Sequence, residues 1–174
     1  MEKRNLILFL LLLIFLGCNE DVQQIEEANL KYSLISTDNV RIASSSHELN
    51  SKITNNLGTI KDVSYIKTDK KSVIAIIDYK INEEDLKVML VSGIENFKFP
   101  YNAIIKLDSF TGNMTKTNEN DDIYISCMGR SCCAPGGTYD PNTKLFSTSC
   151  KCDDNNNSDC IMRVSSKPPE IKQE

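Results

Sequence analysis

Cys127, Cys132, Cys133, Cys150, Cys152 and Cys160 crowd into the last third of a 174-residue chain that holds seven cysteines in all. Sulfur at this density offers crosslinks, soft-metal ligation or thiol–disulfide exchange. As crosslinks, six cysteines make three bridges, with fifteen formal connectivities that spacing cannot separate. Local geometry narrows the choice. A bond between the neighbours Cys132 and Cys133 would strain the peptide joining them, so the two reach different partners. Cys150 and Cys152, if in a strand, point to one face and can receive one bridge each. As ligands, Cys132-Cys133 and Cys150-Lys151-Cys152, with Met128 and Met162 close by in sequence, suit Cu(I) or Zn(II). The spacing is not that of paired C-x₂-C knuckles and the cluster contains no histidine, so no metal ligand is assigned. Exchange chemistry favours a C-x-x-C pair at a helix N-terminus, where the thiolate is stabilised. This chain has no such pair.

Other catalytic chemistry finds little purchase. The single histidine, His47, falls in the first turn of an expected helix, a surface position. A Ser–His–Asp hydrolase would have to use it, yet there is no G-x-S-x-G elbow. Glu83-Glu84 and Asp121-Asp122 sit in expected turns, where carboxylates are solvated. A two-carboxylate glycosidase would need a pair that nothing in the sequence selects. No catalytic residue and no cofactor is therefore assigned.

The elements that must position the sulfurs are mostly strands. Ser45 and Glu48 have capping-box spacing, Leu49, Ile53 and Leu57 recur every four residues, and Gly58 stands where a helix would stop. This predicts one short amphipathic helix. Ser72–Ile81 is a nearly continuous β-branched run, as in a strand buried on much of both faces. Asn82-Glu83-Glu84-Asp85 supplies a turn, and 86–91, 101–108 and 63–67 read as further strands. Their short connections predict pairing that is largely antiparallel. Gly136–Phe146 reads as a hairpin turning at Asp140-Pro141-Asn142 into the strand that carries Cys150 and Cys152. The fold class expected is α+β, mainly antiparallel, with one short amphipathic helix and a disulfide-rich C-terminal hairpin module. Residues 31–110 form the α+β body, and 111–164 a Cys-rich β module packed on it or continuing it. Residues 165–174, polar and broken by Pro168-Pro169, form a disordered tail.

The N-terminus sets the compartment. Glu2, Lys3 and Arg4 precede an apolar run, Leu6–Leu16, and then come Gly17 and Cys18. The run is well short of the ~20 residues that a permanent bilayer-spanning helix needs. This end resembles the signal of bacterial lipoproteins, although Phe15 and Leu16 depart from the leucine and small residue that the class prefers there. The resemblance covers residues 1–18 alone. It implies cleavage between Gly17 and Cys18, a diacylglyceryl group on the Cys18 sulfur and acylation of the new amine, with palmitate as the expected chain. Residues 18–30 then form an acidic tether. Asn19 stands where the inner-membrane retention signal of enteric bacteria carries Asp, and Glu20-Asp21 looks like the acidic surface-export signal of some Gram-negative groups. An uncleaved anchor or an ordinary secretory signal would equally place the body outside the cytoplasm. There, with Cys18 set aside for lipid, the six remaining cysteines read as three bridges.

A formal charge of −4, with 20 Lys+Arg against 24 Asp+Glu, gives no electrostatic reason to bind nucleic acid. The features together predict a non-enzymatic, lipid-anchored envelope lipoprotein of a Gram-negative cell, at the outer membrane. Cys18 carries the anchor, and the role is structural or one of binding an envelope or extracellular protein partner through the rigid Cys-rich hairpin. A periplasmic or surface metal-handling protein using the Cys/Met cluster and an envelope hydrolase of unrecognised site are the alternatives.

Overall fold

The computed structural model describes residues 30–69, 71–108, 122–152 and 160–169. Gly17 and Cys18, the expected leader 1–17 and the expected tether up to residue 29 lie outside them, as do most of the polar stretch after Asp108 and the end of the tail.

The chain is α+β: among the described residues there is one short helix and a mainly antiparallel β structure. Helix α1 (Ser46–Thr54) starts where the capping signal placed it: the Ser45 side chain accepts from the Glu48 N–H. Glu48 reaches one residue further back than a capping box requires and accepts from the Ser44 N–H at 2.7 Å. The helix ends earlier than the leucine periodicity predicts. Asn55 turns left-handed at φ 51°, its N–H bonding to the Ser51 carbonyl, and Asn56 follows at φ 61°. Asparagine tolerates this region better than other residues with a Cβ. Leu49 and Ile53 are therefore buried, whereas Leu57 lies past the helix and is exposed. Gly58 is needed for a different reason than helix termination: a Cβ there would stand 2.2 Å from the Lys80 carbonyl oxygen of the neighbouring strand.

The main sheet has six strands in the order β1 (Gly58–Ile66), β2 (Val73–Ile81), β3 (Glu84–Ser92), β6 (Ile123–Met128), β9 (Ile161–Ser165) and β5 (Ile104–Asp108). All neighbours are antiparallel except β5, which runs parallel to β9 at the edge. A second sheet places β8 (Leu145–Lys151) between β4 (Asn96–Lys98), which is parallel to it, and β7 (Ala134–Asp140), which is antiparallel. The β2–β3 turn falls within the Asn82–Asp85 stretch the sequence assigned to it but is tighter, with Glu84 and Asp85 already in β3 opposite Ile81 and Lys80. Asn82 and Glu83 both take positive φ, at 46° and 71°, the signature of a type I′ hairpin. In the β7–β8 hairpin Asp140 accepts from the Asn142 N–H and the Thr143 hydroxyl, a turn of the Asx kind.

Burial explains the run in β2. Val63, Ile77 and Val88 are opposed across three strands, as are Ala75, Leu90 and Tyr124, and all are buried. Lys52 of α1 reaches Asp122 at 2.7 Å, beside Tyr124, which places the helix on this face. The other face (Ile74, Met89, Val91, Ile125, Met162, Val164) packs against Phe97, Phe146 and Cys150 of the second sheet. A central strand covered on both sides needs apolar residues at successive positions, not alternate ones. Ser165, placed at the head of the tail by its polar neighbours, is buried and closes β9.

Candidate functional site

The site is the end of the β7–β8 hairpin, where all six C-terminal cysteines meet. Cys127 of β6 is bridged to Cys150 of β8, joining the two sheets. Cys132, in the loop before β7, is bridged to Cys152, one residue beyond β8. Cys133 is bridged to Cys160, just ahead of β9. The Cα–Cα distances are 5.7, 5.0 and 5.7 Å, within the usual span. Cys132 and Cys133 thus take different partners, and Cys150 and Cys152 take one bridge each, as local geometry required.

Two of the bridges lie side by side. The Cys152 sulfur is 3.8 Å from that of Cys133 and 3.8 Å from that of Cys160. Oxidised sulfurs carry no hydrogen, so these are van der Waals contacts. The sulfurs of Cys133, Cys152 and Cys160 all fall within 4.8 Å of one another, Cys152 and Cys160 being buried. Two thiolates on one tetrahedral zinc, each at ~2.3 Å, stand about 3.8 Å apart. Two of the three separations match that figure, whereas Cys133 and Cys160 are bonded to each other, so the three could hold a soft ion only after reduction had freed this pair to move apart as thiolates. Met162 is buried in the core and Met128, at the end of β6, is exposed.

The remaining sequence candidates take structural or surface places. His47 is exposed in the first turn of α1. Glu83 pairs with Lys80 at 3.0 Å across the hairpin turn, and Asp122 pairs with Lys52. Asp121 lies outside the described residues.

Beside the bridges a cleft of about 600 Å³ opens over the β7–β8 hairpin, lined by Ala134 and Gly136–Thr138 of β7, Ser147–Lys151 of β8 and the chain from Lys98 to Ile104, with Cys160 and Met162 also lining it. No pattern in the sequence announces it, because its walls come from segments distant in the chain.

A second contact orients the hairpin. Asp69 accepts from the Ser72 hydroxyl at 2.6 Å, from the Lys71 N–H at 3.2 Å and from the Tyr139 hydroxyl of β7 at 3.0 Å. The Ser72 hydrogen bond is the main cause that holds this carboxyl below its ordinary value of 3.8. Burial opposes it, and Tyr139 and Lys71 add to it. With the folded pKa below the unfolded one, the stabilisation is present above about pH 4 and is lost as pH falls through the folded value. Asp69→Asn should therefore be less stable than the parent at pH 7, with a shallower loss as pH falls below about 4. Urea unfolding across that range reads this directly, and parallel stability curves for the two proteins would contradict it.

Among known protein families, curated proteins and solved structures, none matches this chain. What the fold and the site define is a class: an α+β domain whose C-terminal hairpin is stapled by three disulfides.

Proposed function

We propose that this protein is a non-enzymatic lipoprotein of the cell envelope, held at the outer membrane by lipid on Cys18. Its stapled body binds an envelope or extracellular protein partner or serves a structural role there. One observation carries the reading: each of the six cysteines from Cys127 onward is bridged, across two sheets. Bridges persist in oxidising compartments and are rare in the reducing cytosol, which fits the export implied by Leu6–Leu16 and Gly17-Cys18. A bridged hairpin also presents a fixed shape at little entropic cost, which suits a binding surface.

Mass spectrometry of protein from producing cells tests the anchor. The expected N-terminal peptide begins at Cys18 and carries diacylglyceryl and amide-linked acyl mass. Cys18→Ser should leave a form without lipid that no longer partitions into detergent. An unprocessed Met1 terminus without acyl mass would overturn the anchor. Thiol titration after denaturation without reductant should find no free thiols in the mature body.

The sulfur triad of Cys133, Cys152 and Cys160 favours a second reading, a metal-handling protein that holds Cu(I) or Zn(II) when reduced. It predicts four or more titratable thiols and stoichiometric metal in protein purified without chelator. Bridged protein free of metal would exclude it.

A further inference from the structure

The three bridges differ in what can reach them. Of the six bridged cysteines only Cys132 is exposed; Cys127 and Cys133 are half-buried, and Cys150, Cys152 and Cys160 are buried. The Cys133 N–H donates to the Arg130 carbonyl at 2.9 Å, closing a turn with Ser131 and Cys132 at its tip. The Cys132–Cys152 bond therefore has one end at the surface and one inside. Its inner sulfur lies 3.8 Å from each sulfur of the Cys133–Cys160 bond. In thiol–disulfide exchange a thiolate attacks one sulfur and the other leaves as a thiolate, at a rate set by access and by the leaving group. Here the accessible sulfur belongs to the bridge whose leaving group already touches a second bridge.

We propose that Cys132 is the entry site for a small-molecule thiol, whose attack there is relayed from the outer bridge to the inner one. In the first step the incoming thiolate bonds to the Cys132 sulfur, the Cys132–Cys152 bond breaks, and Cys152 leaves with the electron pair. In the second, the Cys152 thiolate bonds to the Cys160 sulfur, the Cys133–Cys160 bond breaks, and Cys133 leaves with the pair. One thiolate enters and one emerges, and the number of S–S bonds does not change, so no further oxidant or reductant is needed. In the fully bridged protein the Cys152 sulfur stands broadside to the inner bond, equidistant from its ends. Release from Cys132 frees rotation about the Cys152 Cα–Cβ bond, which brings it into line for attack.

Burial gives the relay its direction. The charge passes from Cys152, which is buried, to Cys133, which is half-buried and better solvated. Attack on Cys133 instead would leave the charge on Cys160, which is buried. The Cys127–Cys150 bond takes no part and keeps the two sheets joined. The relay needs no C-x-x-C pair, because its first nucleophile comes from solution. It requires neither the lipid at Cys18 nor a protein partner, so its failure would leave the function proposed above standing.

The test treats the bridged mature protein briefly with reduced glutathione, quenches with acid, alkylates free thiols with N-ethylmaleimide and maps tryptic peptides by tandem mass spectrometry. Trypsin cuts after Arg130, Lys144, Lys151 and Arg163, so peptides 131–144 and 152–163 are joined by two bridges in the parent and separate in the product. The expected product carries glutathione on Cys132 and an internal bond in peptide 152–163. Alkylation of Cys133 should exceed that of Cys152 about tenfold. In the double variant Cys133→Ser, Cys160→Ser the inner bridge is gone, and the alkyl group should appear on Cys152 instead. The parent decides the matter alone if this variant does not fold. Glutathione arriving first on another cysteine, alkylation that stays on Cys152 in the parent, release of all six thiols together, or no adduct at all would overturn the proposal.

Discussion

Reduction of the three bridges should lower the unfolding free energy by more than about 5 kcal/mol, enough to unfold the body at neutral pH. The bridges join residues 23, 20 and 27 positions apart. Closing loops of this length in the unfolded chain is worth about 3 kcal/mol each. The three intervals overlap, since Cys132 and Cys133 both lie inside the loop from Cys127 to Cys150. Their contributions therefore do not sum to three times one loop. Even so, the loss is comparable with the whole stability of many small domains, about 5–15 kcal/mol. The chain has six tyrosines and no tryptophan, so tyrosine fluorescence can follow urea unfolding with and without excess reductant. Mass analysis confirms that six thiols have formed. An unchanged midpoint in fully reduced protein would show that noncovalent packing alone holds the fold. Loops of such similar length differ by only about 0.3 kcal/mol in closure entropy. Larger differences between single-bridge knockouts would therefore report on native packing.

The sequence made some of this fold legible and hid the rest for physical reasons. The β2 run, a turn within Asn82–Asp85 and the hairpin at Asp140-Pro141-Asn142 depend on neighbours in sequence, and local chemistry specifies them. The end of α1 turned on whether Asn55 or Gly58 would take the left-handed position, and either residue can. Strands β4, β6 and β9 are short, at 3, 6 and 5 residues. Their pairing is settled by contacts with β8, β3 and β5, distant in sequence, so no short window contains the signal. The same holds for the sulfurs. That Cys132 and Cys133 diverge is local geometry, whereas the choice among the remaining pairings needed β8 laid against β6. The cleft is walled by segments far apart in the chain, which no single window brings together.

Phe146→Ala should cost about 3–5 kcal/mol, the largest loss expected of any single side chain here. Phe146 is fully buried at the centre of the interface between the sheets. Its ring meets Phe97 edge-on, with centroids 5.9 Å apart at 74°, and Phe97 in turn stacks on Phe99. Truncation opens a cavity on the line that docks the hairpin onto Met89, Ile125 and Met162, and it removes an edge-to-face contact. The ring also explains a glycine. A Cβ on Gly137 would stand 2.6 and 2.8 Å from two carbons of the Phe146 ring, and 2.5 Å from the Ser147 carbonyl oxygen. Gly137→Ala should therefore be destabilising by itself, through crowding of a well-packed position. The two substitutions should couple. With the ring gone, the new methyl loses its clash with the aromatic carbons and fills part of the void. The backbone oxygen stays, so the penalty shrinks without vanishing. A double-mutant cycle from urea unfolding measures this coupling. Strict additivity, or a cost for Phe146→Ala below about 1 kcal/mol, would mean that the ring does not hold the two sheets together.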